Sequence, residues 1–365
     1  MNQSNLTSLK AIVIWIEQPD PKLISKIKCK VYYWADFLKI GVNITDAQAD
    51  SAVAHIKPGH CSTLIYTSGT TGPPKAVMIS HDNITWTTAN MVYNYFSEAD
   101  PLNQNDCLVS YLPLSHIAAQ LLDIHVGMLF GGCIYFCQPD ALKGSLTMTM
   151  RDVKPTVFFG VPRVWEKIQE KMVQLGRANS GIKQYIATWA KSIGREKSRL
   201  AQYGNSGGAP FGYGCARSLV FTKIKEALGL DKARACFSAA APISVDTINY
   251  FASLDLPIYE VFGQSECTGP HTVSNRDDWK IGYCGRPMRG TLTKIDPTLG
   301  ELCYNGRHIF MGYMFMPDKT AETFDSEGYL RSGDVAEFDE NNHPDIPAPS
   351  GIYKAYSIMC SIVYV

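Results

Sequence analysis

The feature that most constrains this chain is the run Thr67-Ser68-Gly69-Thr70-Thr71-Gly72-Pro73-Pro74-Lys75, set directly behind the apolar segment Ser62–Tyr66. A short apolar, β-favouring segment closed by turn residues reads as a strand. The run is then a loop at the carboxyl end of a strand, the edge at which α/β sheets bind ligands. Its two glycines let the backbone come close to a ligand and expose successive N–H groups, while the hydroxyls and the Lys75 ammonium add further donors. Such a loop suits a polyphosphate. It is not the Gly-x-x-x-x-Gly-Lys-Ser/Thr loop, whose spacing cannot be laid over it.

Around this loop, short β-rich runs alternate with longer helical patterns. Strands are expected at Leu9–Ile16, Ser62–Tyr66, Cys107–Tyr111, Cys133–Cys137, Thr156–Phe159, Ala235–Ser238 and Ile258–Phe262. Pro162 can open a helix, with Trp165, Ile168, Met172 and Leu175 on one face; Ile182, Ile186, Trp189 and Ile193 repeat the spacing, and both stripes are expected to face the core. This alternation predicts an α/β fold with a mostly parallel, doubly wound sheet and helices on its faces. The glycine-dense run Tyr203–Gly214 reads as a surface loop within one domain. From Ile281 onward, short strands and glycine-punctuated turns predict a smaller β-rich subdomain.

Composition narrows the function classes. Thirty-four basic residues balance thirty-four acidic ones, so no global field favours nucleic acid or an anionic membrane. The eleven cysteines include no Cys-x-x-Cys pair, and Cys133 and Cys137 flank a strand-like Ile-Tyr-Phe rather than a zinc knuckle. With no signal peptide legible at Met1–Asn5, reduced thiols in the cytoplasm are expected. No apolar run reaches the ~20 residues of a spanning helix; peripheral contact with intracellular membranes stays open.

The loop, continued by Ala76-Val77-Met78-Ile79-Ser80-His81, resembles the phosphate-loop signature of the adenylate-forming (AMP-binding) superfamily. Four further segments resemble family segments in the family's order. They are Tyr111-Leu112-Pro113-Leu114-Ser115-His116, Ser238-Ala239-Ala240-Ala241-Pro242, Tyr259-Glu260-Val261-Phe262-Gly263-Gln264-Ser265-Glu266 and Tyr329-Leu330-Arg331-Ser332-Gly333-Asp334. Taken singly, His116 reads as a packed histidine, Glu266 as an acid near a turn and Asp334 as a turn residue; in this order behind the loop they read as one set. Departures from the family pattern are Ala76 and the alanines of the Ser238–Pro242 turn, where glycine is commoner, and Phe262, where tyrosine is usual. The phrases Ser80–Trp86, Pro139–Ser145, Gly160–Lys167 and Phe310-Met311-Gly312-Tyr313 are similar to the bubblegum-type long-chain acyl-CoA synthetases.

The resemblance implies a fragment of the family's large domain over 1–342, with 281–342 its β-rich end, and a tail, 343–365, unlike the family. The amino-terminal part of the first subdomain and the mobile carboxyl-terminal domain are expected to be missing. It implies ATP-dependent activation of a fatty acid to acyl-AMP and transfer to CoA, with Mg²⁺ as the metal. Catalytic roles fall to Thr67, Lys75 and Glu266, and Glu266 also holds the metal. The nucleotide falls to Thr67, Ser68, Gly69, Thr70, Thr71, Gly72, Pro73, Pro74, Lys75, Ala241, Pro242, Glu260, Val261, Phe262, Gly263, Gln264, Ser265 and Asp334. His116, Gln264 and Ser265 line the acyl–adenylate junction. Turnover by this chain alone is expected to be impaired; the alternatives are a non-catalytic nucleotide- or acyl-binding remnant and another adenylate-forming activity.

Overall fold

The computed structural model describes residues 7–18, 20–67, 74–96, 100–177, 180–203, 208–274, 276, 279–339 and 353–357. Its strands, in chain order, are β1 Ala11–Ile14, β2 Lys30–Tyr33, β3 Cys61–Thr67, β4 Lys75–Ser80, β5 Cys107–Ser110, β6 Cys133–Phe136, β7 Val157–Phe159 and β8 Ala235–Ser238. They continue as β9 Tyr259–Gln264, β10 Gly269–Val273, β11 Arg286–Pro287, β12 Leu292–Ile295, β13 Glu301–Asn305, β14 Gly312–Tyr313, β15 Leu330–Phe338 and β16 Tyr353–Ser357. Two compact units emerge, Met1–Lys57 and Pro58–Val365.

In the first unit β1 and β2 pair in parallel, Ala11 opposite Lys30 and Ile14 opposite Tyr33. The helix Asp46–Val53 starts where its sequence says it should: Thr45 accepts from the Gln48 amide while Gln48 returns a bond to the Thr45 amide.

The second unit carries the site. Its five-stranded sheet runs β11-β10-β9-β8-β7. β7, β8 and β9 are parallel, and β10 and β11 extend the sheet antiparallel. Trp165, fully buried, anchors the helix Pro162–Arg177 under this sheet. Its indole donates to the Phe237 carbonyl at 3.1 Å, and it packs edge-on against Phe158 and Phe251. A four-stranded antiparallel sheet follows, β12-β13-β15-β16, and a three-stranded one, β14-β4-β3. β5 and β6 form a parallel pair.

The fold is α/β, with sheets that are mixed rather than mostly parallel. The reason lies in the connections. Four residues, Ser265 to Thr268, join β9 to β10, and Ser68–Pro74 join β3 to β4; a parallel crossover needs a dozen or more. The segment behind β3 therefore joins the two strands of an antiparallel pair. Two other expectations also change. Leu175 and Ile182, assigned to core-facing stripes, are 66% and 78% exposed. Each sits at a helix end, away from the buried positions, which are Pro162, Val164, Trp165 and Ile168 in one helix and Ala190, Gly194 and Ser198 in the other. Within Tyr203–Gly214, the helix Tyr213–Ala216 has already begun by the end of the run.

Candidate functional site

A cavity of about 810 Å³ opens over the carboxyl ends of β8 and β9. Its apolar wall comes from the helix His81–Tyr95 (Met91, Tyr95) and from the π-helical segment Gln120–Val126 (Leu121, Leu122). π-helical turns are rare and gather at functional sites. The polar wall comes from β3, β9, the turn Ser265–Cys267 and β15.

Most residues singled out from sequence converge here. Thr67, His116, Ala241, Pro242, Glu260, Val261, Phe262, Gly263, Gln264, Ser265, Glu266 and Asp334 all line the one cavity. Ser68, Gly69, Thr70, Thr71, Gly72 and Pro73 lie outside the described residues. What the structure gives for that loop is its two ends: Thr67 and Lys75 are register partners in the β3–β4 pair. Pro74 and Lys75 are not on the cavity wall. The Lys75 ammonium lies 4.6 Å from the centroid of the Tyr313 ring.

Local chemistry sets each polar group. Glu260 takes a hydrogen bond from the Gly282 amide, while its Oε1 is enclosed without a protein partner. Burial pushes its carboxyl up to about 7, against the pull of the Gly282 amide and the Lys354 ammonium. An enclosed, unpartnered carboxyl oxygen on a cavity wall is an acceptor waiting for a donor. His116 caps the short helix Ile117–Ala119, its Nδ1 accepting from the Ala118 amide at 3.2 Å. Burial lowers its pKa, so it faces the cavity as a neutral imidazole. The Glu266 carboxylate accepts from the Tyr313 hydroxyl at 2.7 Å, and the Glu266 carbonyl accepts from the Phe310 amide at 2.9 Å. Asp334 sits in β15 with its amide bonded to Ser332 Oγ at 3.0 Å.

Backbone geometry holds these groups in place. Gly263 must be glycine: a Cβ there would stand 1.8 Å from the Gly269 carbonyl oxygen across the β9–β10 pair. The turn after β8 takes Ala240 to φ +74°, a left-handed conformation that costs an alanine roughly 1–2 kcal/mol. Strain of this kind collects at ligand sites.

Two contributors were missed in the sequence. Tyr313 stood in a phrase that gave it no role, and only pairing of β14 with β4 brings it under Lys75. Lys354 belongs to the tail, yet β16 pairs with β15, Asp334 opposite Ser357 and Glu337 opposite Lys354, and Lys354 reaches the cavity wall. Tyr353-Lys354-Ala355-Tyr356 does carry strand-forming residues, and that was the one available signal.

Comparison with known proteins bears on the family and the fold. The AMP-binding enzyme family matches residues 4–314. The long-chain-fatty-acid–CoA ligase ACSBG2 of Xenopus laevis is 49% identical over 344 residues, 93% of this chain and 46% of that protein. ACSBG2 of Homo sapiens is 43% identical over 344 residues, 92% of this chain and 50% of that protein. The chain thus spans about half the length of the curated relatives it matches. Among solved structures, an anthranilate CoA ligase, AuaEII, in complex with anthranoyl-AMP superposes with a TM-score of 0.64 at 17% identity, over 97% of this chain and 55% of that one. A malonyl-CoA ligase with methylmalonyl-CoA and AMP bound gives 0.62 at 19% identity, over 97% and 62%. The folds agree, and on the match of residues 4–314 together with the identity to its bubblegum-type members this chain belongs to the AMP-binding enzyme family.

Proposed function

We propose that this cavity binds ATP and a long-chain fatty acid side by side and joins them as an acyl adenylate, the form in which the acyl group passes to CoA. The observation that carries the reading is the shared cavity: an apolar wall from Met91, Tyr95, Leu121 and Leu122 stands beside a polar wall from Thr67, Glu260, Gln264, Glu266 and Asp334. The names of the curated relatives point to the same substrate class.

The fatty carboxylate attacks the α-phosphorus of ATP and pyrophosphate leaves, turning a poor acylating agent into one with a good leaving group. The protein's share is positioning and charge stabilisation. The enclosed Glu260 Oε1 accepts from the adenine amine, Ala241, Pro242, Val261, Phe262 and Gly263 pack around the base, and Asp334 accepts from the ribose hydroxyls. Thr67 and Lys75 close the polyphosphate loop from its two ends, with Ser68–Pro74 between them. His116, Gln264 and Ser265 face the junction of acyl group and phosphate. Glu266 fits a magnesium ion held by one carboxylate and the phosphates, the usual arrangement for that ion; among the described residues no cluster of three or more His, Cys, Asp or Glu converges to make a protein-only cage. The ion, when bound, neutralises charge on the polyphosphate.

A reducing, cytoplasmic setting belongs to the same reading, in keeping with the free thiols among the described cysteines. Among the described residues no helix is long and apolar enough to cross a membrane. ATP–pyrophosphate exchange on this chain, with palmitate and with very-long-chain acids, tests the proposed chemistry. Exchange stimulated by a fatty acid supports it. Nucleotide binding without exchange makes the chain a non-catalytic binding module, and absence of nucleotide binding refutes the site.

A further inference from the structure

We propose that Tyr313 is a positioning residue that holds Lys75, which stands behind the cavity wall, and Glu266, which lines it, in one fixed arrangement, its ring seating the ammonium and its hydroxyl seating the carboxylate. The inference rests on the reading of the site given above and adds a residue to it.

Tyr313 touches the two groups at once. Its ring centroid lies 4.6 Å from Lys75 Nζ, and its hydroxyl donates to Glu266 Oε1 at 2.7 Å. An aromatic face attracts a cation, and a phenol is a strong donor to a carboxylate. One hydrogen bond leaves most of a carboxylate's lone-pair sites for a metal ion. The residue is 5% exposed, so both contacts are made away from bulk water.

The backbone that delivers Tyr313 is fixed as well. β14 pairs with β4 at Gly312–Met78 and Tyr313–Val77, two residues from Lys75. The Tyr313 amide donates to Thr320 Oγ1 at 2.9 Å. Gly312 takes φ +125°, where a Cβ would lie 2.8 Å from the Thr320 methyl carbon. The same segment grips Glu266 twice, because the Phe310 amide bonds its carbonyl while Tyr313 bonds its side chain. A tyrosine that only filled the core would need neither contact. Here the one side chain ties the loop-closing lysine on β4 to the acid on the turn after β9.

The test titrates the 365-residue chain with ATP at graded Mg²⁺ concentrations, and with AMP, by calorimetry. Tyr313→Phe keeps the ring and removes the hydroxyl. The Mg²⁺ concentration needed for half-maximal ATP binding should rise about tenfold, since hydrogen bonds to charged groups are the stronger ones. AMP affinity should stay within about twofold, because AMP lacks the polyphosphate. Tyr313→Leu should also weaken ATP binding without Mg²⁺, about fivefold, through loss of the ring beneath Lys75. In a Glu266→Gln background, Tyr313→Phe should change the Mg²⁺ dependence no further. An unchanged Mg²⁺ midpoint in Tyr313→Phe, equal losses for ATP and AMP, or full additivity with Glu266→Gln each overturns the proposal. Failure of the underlying site reading is visible separately: ATP binding by the unmodified chain would then be absent or indifferent to Mg²⁺, and the positioning role falls with it.

Discussion

Glu260→Gln should make the protein more stable at alkaline pH while damaging the site. Burial raises the Glu260 carboxyl from 4.5 to about 7. At 1.36 kcal/mol per unit, that shift corresponds to an ionisation penalty on the order of 3 kcal/mol in the folded state. The sign follows from proton binding. Between those two values the native protein holds a proton that the unfolded chain has released, so stability is full below the unfolded pKa and falls as pH rises through the folded one. Glutamine has nearly the same shape and never ionises. The stability difference between variant and parent should therefore be near zero at about pH 4 and grow to on the order of 3 kcal/mol in favour of the glutamine variant at about pH 8. Denaturant titrations of both chains at half-unit pH steps give that difference directly, and groups common to both cancel. A flat difference across the range would refute the reasoning and mean that water or a rearranged Lys354 stabilises the charge. AMP affinity measured on the same samples should rise with pH through about 7 in the parent, as the acceptor gains charge, and lose that slope in the variant.

Three other perturbations have definite outcomes. Ala240→Gly relieves the left-handed alanine at φ +74° and should raise stability by about 1 kcal/mol after the added unfolded-state entropy, read as a higher denaturation midpoint. Gly263→Ala drives a Cβ into the Gly269 carbonyl; parting of β9 from β10 should cost at least about 1–3 kcal/mol and abolish AMP binding, and a variant binding AMP normally would contradict that packing. Trp165→Ala should cost about 3–5 kcal/mol by chemical denaturation, since the indole is fully buried and satisfies the Phe237 carbonyl.

What could be read from sequence was what is encoded locally. The Tyr259–Glu266 segment shows its strand, its turn and its polar groups within eight residues, and the cavity wall contains all of them except Tyr259. Glu266 and Asp334 could be named only because their contiguous segments resemble those of a known family; taken singly they read as an acid near a turn and a turn residue. What depends on pairing between distant segments was not legible. The antiparallel β3–β4 pair, the placement of Tyr313 under Lys75 and the arrival of Lys354 at the cavity all follow from strand neighbours that a linear pattern does not specify. The exposure of Leu175 and Ile182 has a related cause, since periodicity reports which face is apolar but not where the partner surface stops.

The pairing of Tyr353–Ser357 along β15 has a consequence for how this protein meets other chains. A strand edge is an open template for any extended segment that presents the right backbone groups. Here the occupant is covalently tethered, so its local concentration is of millimolar order by the usual reckoning for short connections. A competing peptide at micromolar concentration loses that contest by mass action. Neighbouring molecules in solution meet the same disadvantage, and β15 is closed to edge-to-edge association for as long as its own tail holds the place.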